Sequence, residues 1–391
     1  MDDENGLGPP GLAVGVPVRY FLLGDSQEAQ QQLTLAKERC ITNTLARLET
    51  IISSELRQQL QDLSPILITG SCGYLGEALL SCLRGTLHLD ARGFDLMARE
   101  PDVAGDVSDE DALCRAAAGC RSIIHTAALH APNLDFYTEA DFRRINLDGT
   151  RHVLNAARKM GETAAVVFSS TTSLMNTQQV KEETRSRSMI LKASEDYGTP
   201  RNIYGVTKKL AEDYCKEATC NVAILRCSRF FAEDAYDTSV EASQRSSKLS
   251  NGNVKANELL YGTRCSLDDM IMAHLLSLVK IGCVDASSGR QVLGPLIVSA
   301  PSPMLPLLEC QMGEMSDISG WSEETLPEAA SRMYAAFGWS FPESFGRKTG
   351  RILDSRPTWQ CLNWKATWDF QRLVQDFQDD IHLDIIQEGI Y

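Results

Sequence analysis

The stretch ILITGSCGYLG (Ile66–Gly76) sets a short, wholly apolar run directly before three glycines spaced GxxGxxG. Ile66 to Thr69 reads as a buried strand, and the residues beyond the glycines read as a helix reaching about Leu83. Glycines at such a junction allow a tight turn and let a diphosphate approach the helix N-terminus, where free N–H groups and the helix dipole favour anions. A glycine triplet alone says little; its place between strand and helix gives it meaning. The competing reading is a tight turn with only a structural role. Gly70, Gly73 and Gly76, with Tyr74 and Leu75 between the last two, are the candidate phosphate loop.

Downstream, short apolar runs alternate with helical patterns. ARGFDL (Ala91–Leu96), SIIHTAA from Ser122, AAVVFSS (Ala164–Ser170) and VAILRC (Val222–Cys227) read as further strands. Ser108 and Asp111 have capping-box spacing for a helix to about Ala118, and a longer helix is expected near Ala140–Met160. Such alternation with near-continuous apolar strands argues a parallel sheet covered on both faces. Asp95 follows Gly76 by 19 residues, at the end of the second strand. A carboxylate there accepts hydrogen bonds from a ribose 2′-hydroxyl and repels a 2′-phosphate, which favours NAD over NADP. Arg92 and Arg99 are the residues that would reverse this preference by meeting a phosphate. Asp106, in GDVSD, is a candidate adenine contact or a simple turn carboxylate.

The chain has 391 residues, 43% of them hydrophobic, with a formal net charge of -14. That length buries a substantial core, and the acidity makes the chain a poor general binder of nucleic acid or anionic membrane. Its 12 cysteines are scattered without a CxxC pair or zinc spacing, so they read as reduced thiols and no metal site is expected. The start MDDENGLGPPGL has neither the basic character of a secretory signal nor that of a mitochondrial one. AVGVPVRYFLL is too short and broken to span a membrane. A cytoplasmic enzyme or binding protein is the expectation.

Residues 1–63 form an N-terminal extension. Asp25 and Glu28 make a candidate capping box, and Leu33, Ala36, Cys40, Leu45, Leu48, Ile52, Leu56 and Leu60 trace one apolar helical stripe, with room for an interruption. SVEASQRSSKLSNGN reads as a polar loop, and all five tryptophans fall between Trp321 and Trp368, so the last part reads as a smaller lobe.

In RNIYGVTKK (Arg201–Lys209), Tyr204 and Lys208 share one helix face. A free phenol, with a pKa of roughly 10, is a poor acid or base at neutral pH. A lysine one turn away favours the phenolate, and the pair then handles protons near neutrality. By itself the pair also reads as an ordinary amphipathic surface.

The glycine loop, Asp95, HTAA (His125–Ala128), NLDGT from Asn146, FSSTTS from Phe168 and YGVTK from Tyr204 stand in the order found in the extended short-chain dehydrogenase/reductase family. The chain resembles the NAD-dependent epimerase/dehydratase group of that family over roughly Pro65–Ser277, with a weaker echo in LNWKATWDF near the C-terminus. The resemblance implies an α/β, doubly wound Rossmann fold across 64–290, with substrate-loop insertions at about 172–200 and 228–262, and a substrate-binding lobe with C-terminal helices across 291–391. It implies NAD as cofactor and Tyr204 as acid/base. Lys208 is implied to lower the tyrosine pKa and bond the nicotinamide ribose. The substrate-binding hydroxyl falls on Thr171, with Ser170 as the alternative one residue away. Asn146 is implied to support the lysine, and Ala127 to line the cofactor beside His125, to which no chemistry is assigned. Asp268 and Asp269 read as capping and structural residues. Pairing into a homodimer is a further implication.

Two departures narrow the chemistry. Dehydratases of the group carry Asp-Glu after the threonine, whereas Thr172 and Ser173 stand here, so dehydration is not expected. Nucleotide-sugar 4-epimerases show Tyr-Phe-Asn after the strand arginine, where this chain has Cys227, Ser228 and Arg229. Thr172 and Arg229 are candidate substrate contacts, Arg229 for an anionic group. The leading expectation is an epimerase-like oxidoreductase acting on a small molecule, a sugar or nucleotide sugar. The second is a dehydrogenase or reductase of another secondary alcohol or ketone, and the third a non-catalytic NAD-binding scaffold.

Overall fold

The structure is a computed structural model and describes residues 27–161, 163–184, 189–230, 258–284, 289–305, 335 and 351–372, with side chains from Thr34 onward. The Asp25 cap, the AVGVPVRYFLL segment, the SVEASQRSSKLSNGN loop, Trp321 and Trp339 lie outside the described residues. The principal helices are α1 (Gln27–Ile51), α2 (Ser54–Asp62), α3 (Tyr74–Ser81), α4 (Glu110–Ala117), α5 (Gly149–Met160), α6 (Ile203–Glu217), α7 (Leu267–Gly282) and α8 (Arg356–Leu362). The strands are β1 (Ile66–Thr69), β2 (Ala91–Asp95), β3 (Val103–Ala104), β4 (Ser122–His125), β5 (Ala165–Thr171), β6 (Met189–Leu191), β7 (Asn221–Cys227), β8 (Arg229–Phe230), β9 (Arg264–Cys265), β10 (Val292–Val298) and β11 (Arg351–Leu353). No helix among the described residues is long and apolar enough to cross a membrane.

The first compact unit holds residues through Asn176, Thr199–Cys227 and Ile271–Leu296. Its seven-stranded sheet runs β10-β7-β5-β4-β1-β2-β3, and the pairs β2/β3, β1/β2, β1/β4, β4/β5 and β5/β7 are parallel. The expected doubly wound α/β fold is present. Strand order reverses between β1 and β4, which opens the crevice where such sheets bind ligands. Ile66, Leu67, Ile68, Ile123, Ile124, Val167, Phe168, Ile224 and Leu225 are fully buried, as strands covered on both faces require. Leu113, Val153, Ala157 and Ala211, from α4, α5 and α6, close one core against Phe94, Phe168 and Ile224.

Several local expectations shift. The cap of α4 is Asp109, whose side chain accepts the Ala112 amide at 3.0 Å. Ser108 instead gives its amide to Asp106 and its hydroxyl oxygen to Arg144. The cap register slips one residue because Asp109 offers the better acceptor. The helix expected at Ala140–Met160 is a short turn (Glu139–Phe142), a π turn (Arg143–Asp148) and α5 in succession. The N-terminal stripe breaks at Ser53, which caps α2 through the Leu56 amide. Ala36 is exposed, and Ile41 and Thr44 are buried beside Cys40 and Leu48. These helices belong to the same unit as the sheet. Lys37 of α1 pairs with Glu77 and lies 5.6 Å from the centre of the Tyr74 ring, both on α3, while Arg57 donates to the Thr86 carbonyl.

The second unit gathers Thr177–Gly198, Ser228–Met270 and residues from Ile297 onward. It contains the parallel pairs β6/β11 and β8/β9. Asp269 is buried and accepts from Ser266 Oγ (2.8 Å), Trp364 Nε1 (2.9 Å) and the Thr367 amide (2.8 Å). The acidic position in LDD and the LNWKATWDF segment, separate in sequence, thus meet each other. Burial pushes the Asp269 carboxyl up to about 6 against those hydrogen bonds.

One buried ion pair ties α6 to the sheet. Glu212 Oε2 meets Arg226 Nη2 at 2.8 Å, and Ser170 Oγ donates to Glu212 Oε1 at 2.6 Å. The Glu212 side chain is 0% exposed and that of Arg226 8%. Glu212→Gln leaves the guanidinium buried without its counter-charge and should cost about 3–5 kcal/mol in urea denaturation. The double variant Glu212→Met with Arg226→Met should recover most of that loss. A single variant as stable as the parent would show that the pair does not hold α6.

Candidate active site

The glycine loop closes over the end of β1. The Gly70 amide donates to the Phe94 carbonyl at 2.8 Å, and Gly73 donates back to the Gly70 carbonyl at 3.0 Å. Gly70 has φ +74°, and a Cβ there would come within 2.7 Å of the Ala127 amide nitrogen, so the site needs glycine twice over. At Gly76 a Cβ would collide with the Gly70 carbonyl oxygen. Ala127 therefore lies against the loop, as a cofactor-lining residue would, and Thr126 is tied to the Thr69 carbonyl through both its amide and its hydroxyl. Gly73 caps α3 without any side-chain hydrogen bond, so no side chain of its own competes with an anion at the first turn, where Tyr74 and Leu75 stand.

Asp95 stands at the end of β2 beside this loop. Its Oδ2 accepts the Cys72 amide at 3.1 Å and its Oδ1 the Met97 amide at 3.0 Å. Arg92 turns away: its guanidinium donates to the Ala116 and Ala118 carbonyls at 2.6 and 3.1 Å. Arg99 is exposed, four residues beyond the end of β2. Asp106 is engaged by the Ser108 amide (2.9 Å) and Arg144 Nη1 (2.8 Å). Burial opposes its ionisation, but those two partners outweigh it and hold the carboxyl below its usual value. The cradle closed by glycines, the uncapped helix start and the carboxylate one hydrogen bond away fit a dinucleotide with a free 2′-hydroxyl.

Tyr204 and Lys208 sit on the buried face of α6, a helix started by Asn202, whose side chain accepts the Gly205 amide at 2.9 Å. The Thr171 hydroxyl at the end of β5 acts on the Tyr204 phenol and favours its ionised form. Ser170, the alternative, faces Glu212. Lys208 Nζ lies 4.1 Å from the centre of the Phe168 ring. Burial lowers the Lys208 pKa to about 8 and raises that of Tyr204 to about 12, the Thr171 hydroxyl pulling the latter down. The expectation that Lys208 lowers the tyrosine pKa took no account of this desolvation, which sequence spacing does not carry.

Asn146 lies buried on the π turn. Its Oδ1 accepts the Leu129 amide at 2.7 Å, and its Nδ2 donates to the Leu129 carbonyl at 2.9 Å and to Thr207 Oγ1 at 3.2 Å. Its amide thus clamps the strand-end loop to α6 at Thr207, the residue before Lys208. His125 is held between the Thr69 and Thr150 hydroxyls at 2.7 and 3.1 Å and is a satisfied core histidine. His130, which sequence reasoning passed over, brings Nδ1 to 3.4 Å from the Tyr204 hydroxyl. It stands five residues past His125 in HTAALH, and only the fold reveals that proximity. Thr172 opens the short 3-10 turn Thr172–Met175, half-buried next to Thr171. Arg229 lies in the second unit, its side chain 72% exposed and paired with Glu258 at 2.9 Å.

The chain matches the family model described as "NAD dependent epimerase/dehydratase family" over residues 66–278. It is 29% identical over 189 residues to D-erythronate dehydrogenase of Cupriavidus necator, covering 41% of this chain and 53% of that protein. It is 30% identical over 131 residues to the 3 beta-hydroxysteroid dehydrogenase/Delta 5→4-isomerase of Mycobacterium tuberculosis, covering 30% of this chain and 35% of the other. The chain therefore spans about half the length of the first relative and about a third of the second. A short-chain dehydrogenase/reductase superfamily protein from Agrobacterium tumefaciens, solved with bound NAD, is 21% identical, with a TM-score of 0.48 over 83% of this chain and 99% of that one. The family match runs from the first residue of β1 into α7 and takes in the glycine loop, Asp95, Thr171, Tyr204 and Lys208: the chain belongs to the NAD-dependent epimerase/dehydratase family.

Proposed function

We propose that the protein is an NAD-dependent dehydrogenase or reductase that interconverts a secondary alcohol and its ketone. The observation that carries this reading is the buried Tyr204 phenol under the influence of the buried Thr171 hydroxyl, with buried Lys208 one turn on along α6. Tyr204 is the acid/base at the reacting oxygen, and Thr171 orients that oxygen. Lys208 supplies positive charge on the cofactor side, and Asn146 positions the loop and helix that carry these groups. Gly70, Gly73, Tyr74, Leu75, Gly76, Asp95, Asp106 and Ala127 form the proposed dinucleotide cradle. When bound, NAD supplies the hydride acceptor or donor. Thr172 and Arg229 are proposed substrate contacts. The absence of Asp-Glu after Thr171 argues against elimination of water, and the two relatives named above are dehydrogenases.

A second reading, epimerisation of a sugar or nucleotide sugar, is favoured by the family model itself. The two part on cofactor turnover. A dehydrogenase exchanges its cofactor and accumulates NADH in proportion to ketone. An epimerase purifies with tightly held NAD and shows no net change in nicotinamide absorbance. A panel of hydroxy acids, sugars, nucleotide sugars and hydroxysteroids, followed by nicotinamide absorbance and product analysis, separates them.

Tyr204→Phe should abolish turnover and leave the Kd for NAD nearly unchanged, whereas Lys208→Met should harm both. Full activity in Tyr204→Phe would remove the assignment. The pH dependence has a definite sign. Alcohol oxidation needs the ionised phenol, so its rate should climb with pH towards the alkaline range. Ketone reduction needs the protonated phenol, whose raised pKa keeps it loaded at neutral pH, so its rate should fall only at alkaline pH. Asp95→Ala should weaken NAD binding by about 1.5–3 kcal/mol and relax discrimination against NADP, measured by calorimetry on both cofactors. A parent protein that prefers NADP would assign that role to Arg99.

A further inference from the structure

Oxidation of a secondary alcohol yields a ketone, one hydride for the cofactor and one proton. That proton passes first to Tyr204, which is buried and must be cleared before the next turnover. The phenol is packed on one side by Leu129 and Phe142. Among the described residues the polar groups acting on the phenol are His130, within hydrogen-bond reach, and the Thr171 hydroxyl. Thr171 is itself buried, and its oxygen also accepts the Ser173 amide at 3.1 Å. His130 is exposed as a residue while its contact with the phenol is part-buried, its ring edge-on to the tyrosine at 5.7 Å between centres and 62° between planes. Its Nδ1 is 3.4 Å from the phenol oxygen, at the long end of hydrogen-bond reach in a site without substrate.

The imidazole is also fixed in place. Its own amide donates to Asn133 Oδ1 at 2.7 Å, and the preceding residue, Leu129, is gripped by Asn146 through both amide and carbonyl. Because Asn146 also reaches Thr207 on α6, one side chain sets the spacing between the His130 loop and the tyrosine helix.

Building on the assignment of Tyr204 as acid/base, we propose that His130 is a positioning and relay residue that carries the Tyr204 proton to solvent. The alcohol O–H bond breaks and its proton joins the Tyr204 phenolate as hydride leaves the carbon. The phenol proton then moves to His130 Nδ1 while Nε2 releases one to water, and the phenolate is restored. In reduction the same path runs inwards. Among the described residues, the charged and titratable groups acting on this pair are Lys208 from α6 and Cys227 from β7. Desolvation first, and the Lys208 charge second, hold the His130 imidazole below its usual range, so at pH 7 it is neutral and takes a proton on one nitrogen only as the other gives one up. Burial keeps the Cys227 thiol up at about 12 and uncharged. An epimerase returns the proton to the same substrate and has no need of this exit, so the relay serves net oxidation or reduction.

The test uses the full chain with saturating NAD. In 15N-histidine spectra, Tyr204→Phe should displace the His130 titration, while His125, held between two threonines, keeps its own. His130→Gln should displace the ultraviolet titration of the Tyr204 phenol. With the best alcohol from the panel, His130→Gln and His130→Ala should oxidise about 10- to 100-fold more slowly, with KM little changed, and added imidazole buffer should restore the rate. Unmoved titrations, or His130 variants that keep the parental rate and ignore imidazole, overturn the relay. An active Tyr204→Phe overturns the underlying assignment instead, so the two failures are told apart.

Discussion

The Arg226–Glu212 pair is the constraint on which the candidate site rests. A charge pair this deeply buried is tolerated only if its geometry is good and its remaining hydrogen-bonding capacity is used, and here Ser170 supplies the additional bond. The three residues come from β5, α6 and β7. Ser170 and Arg226 are register partners, as are Thr171 and Cys227, so the pair sits one rung below the reacting end of the sheet. Glu212 lies one helical turn beyond Lys208 and two beyond Tyr204, on the same buried face. Fixing Glu212 therefore fixes the roll of α6 and aims the phenol at Thr171. The neighbouring hydroxyls Ser170 and Thr171 then divide the work: one joins the structural pair and the other acts on the tyrosine.

The same economy governs the other half of the site. At the strand-order reversal, the turns after β1 and β4 must pass within van der Waals distance of each other. Gly70 permits this by having no side chain, and Ala127 and Thr126 fill the space it leaves. Asp95 joins the arrangement from β2 by accepting an amide of the glycine turn. A carboxylate suited to a ribose thus also braces the loop expected to hold the diphosphate.

Much of this was legible in the sequence because it depends on local pattern. An apolar run before spaced glycines specifies strand, turn and helix. A tyrosine four residues before a lysine specifies a shared helix face. A carboxylate at the end of the second strand falls where the sheet's geometry puts it. What escaped were properties that belong to three-dimensional neighbours. Arg92 read as a phosphate candidate because sequence does not say that its guanidinium finds two carbonyls at the C-terminal end of α4. The tyrosine pKa rises because the helix face is desolvated, which spacing cannot register. His130 lies 74 positions from Tyr204, and their approach exists only once the β4 turn and α6 are assembled. In the N-terminal extension the apolar period marked a helix correctly but misjudged its buried edge, since Ile41 and Thr44 turn inward and Ala36 does not.

The π turn at Arg143–Asp148 has a consequence for how the chain tolerates change in length. A π turn is an α-helix carrying one surplus residue, and each residue advances an α-helix by about 100°. The faces before and after it are therefore out of phase. Phe142 faces the tyrosine cluster, while Val153 and Ala157 face the sheet core. Asn146 stands within the phase slip, where it can reach both Leu129 and Thr207. Loss of a single residue between 143 and 148 would regularise the helix and make it intrinsically better as a helix. It would also rotate one of those faces out of register, so the length of this stretch matters to the fold as much as its composition.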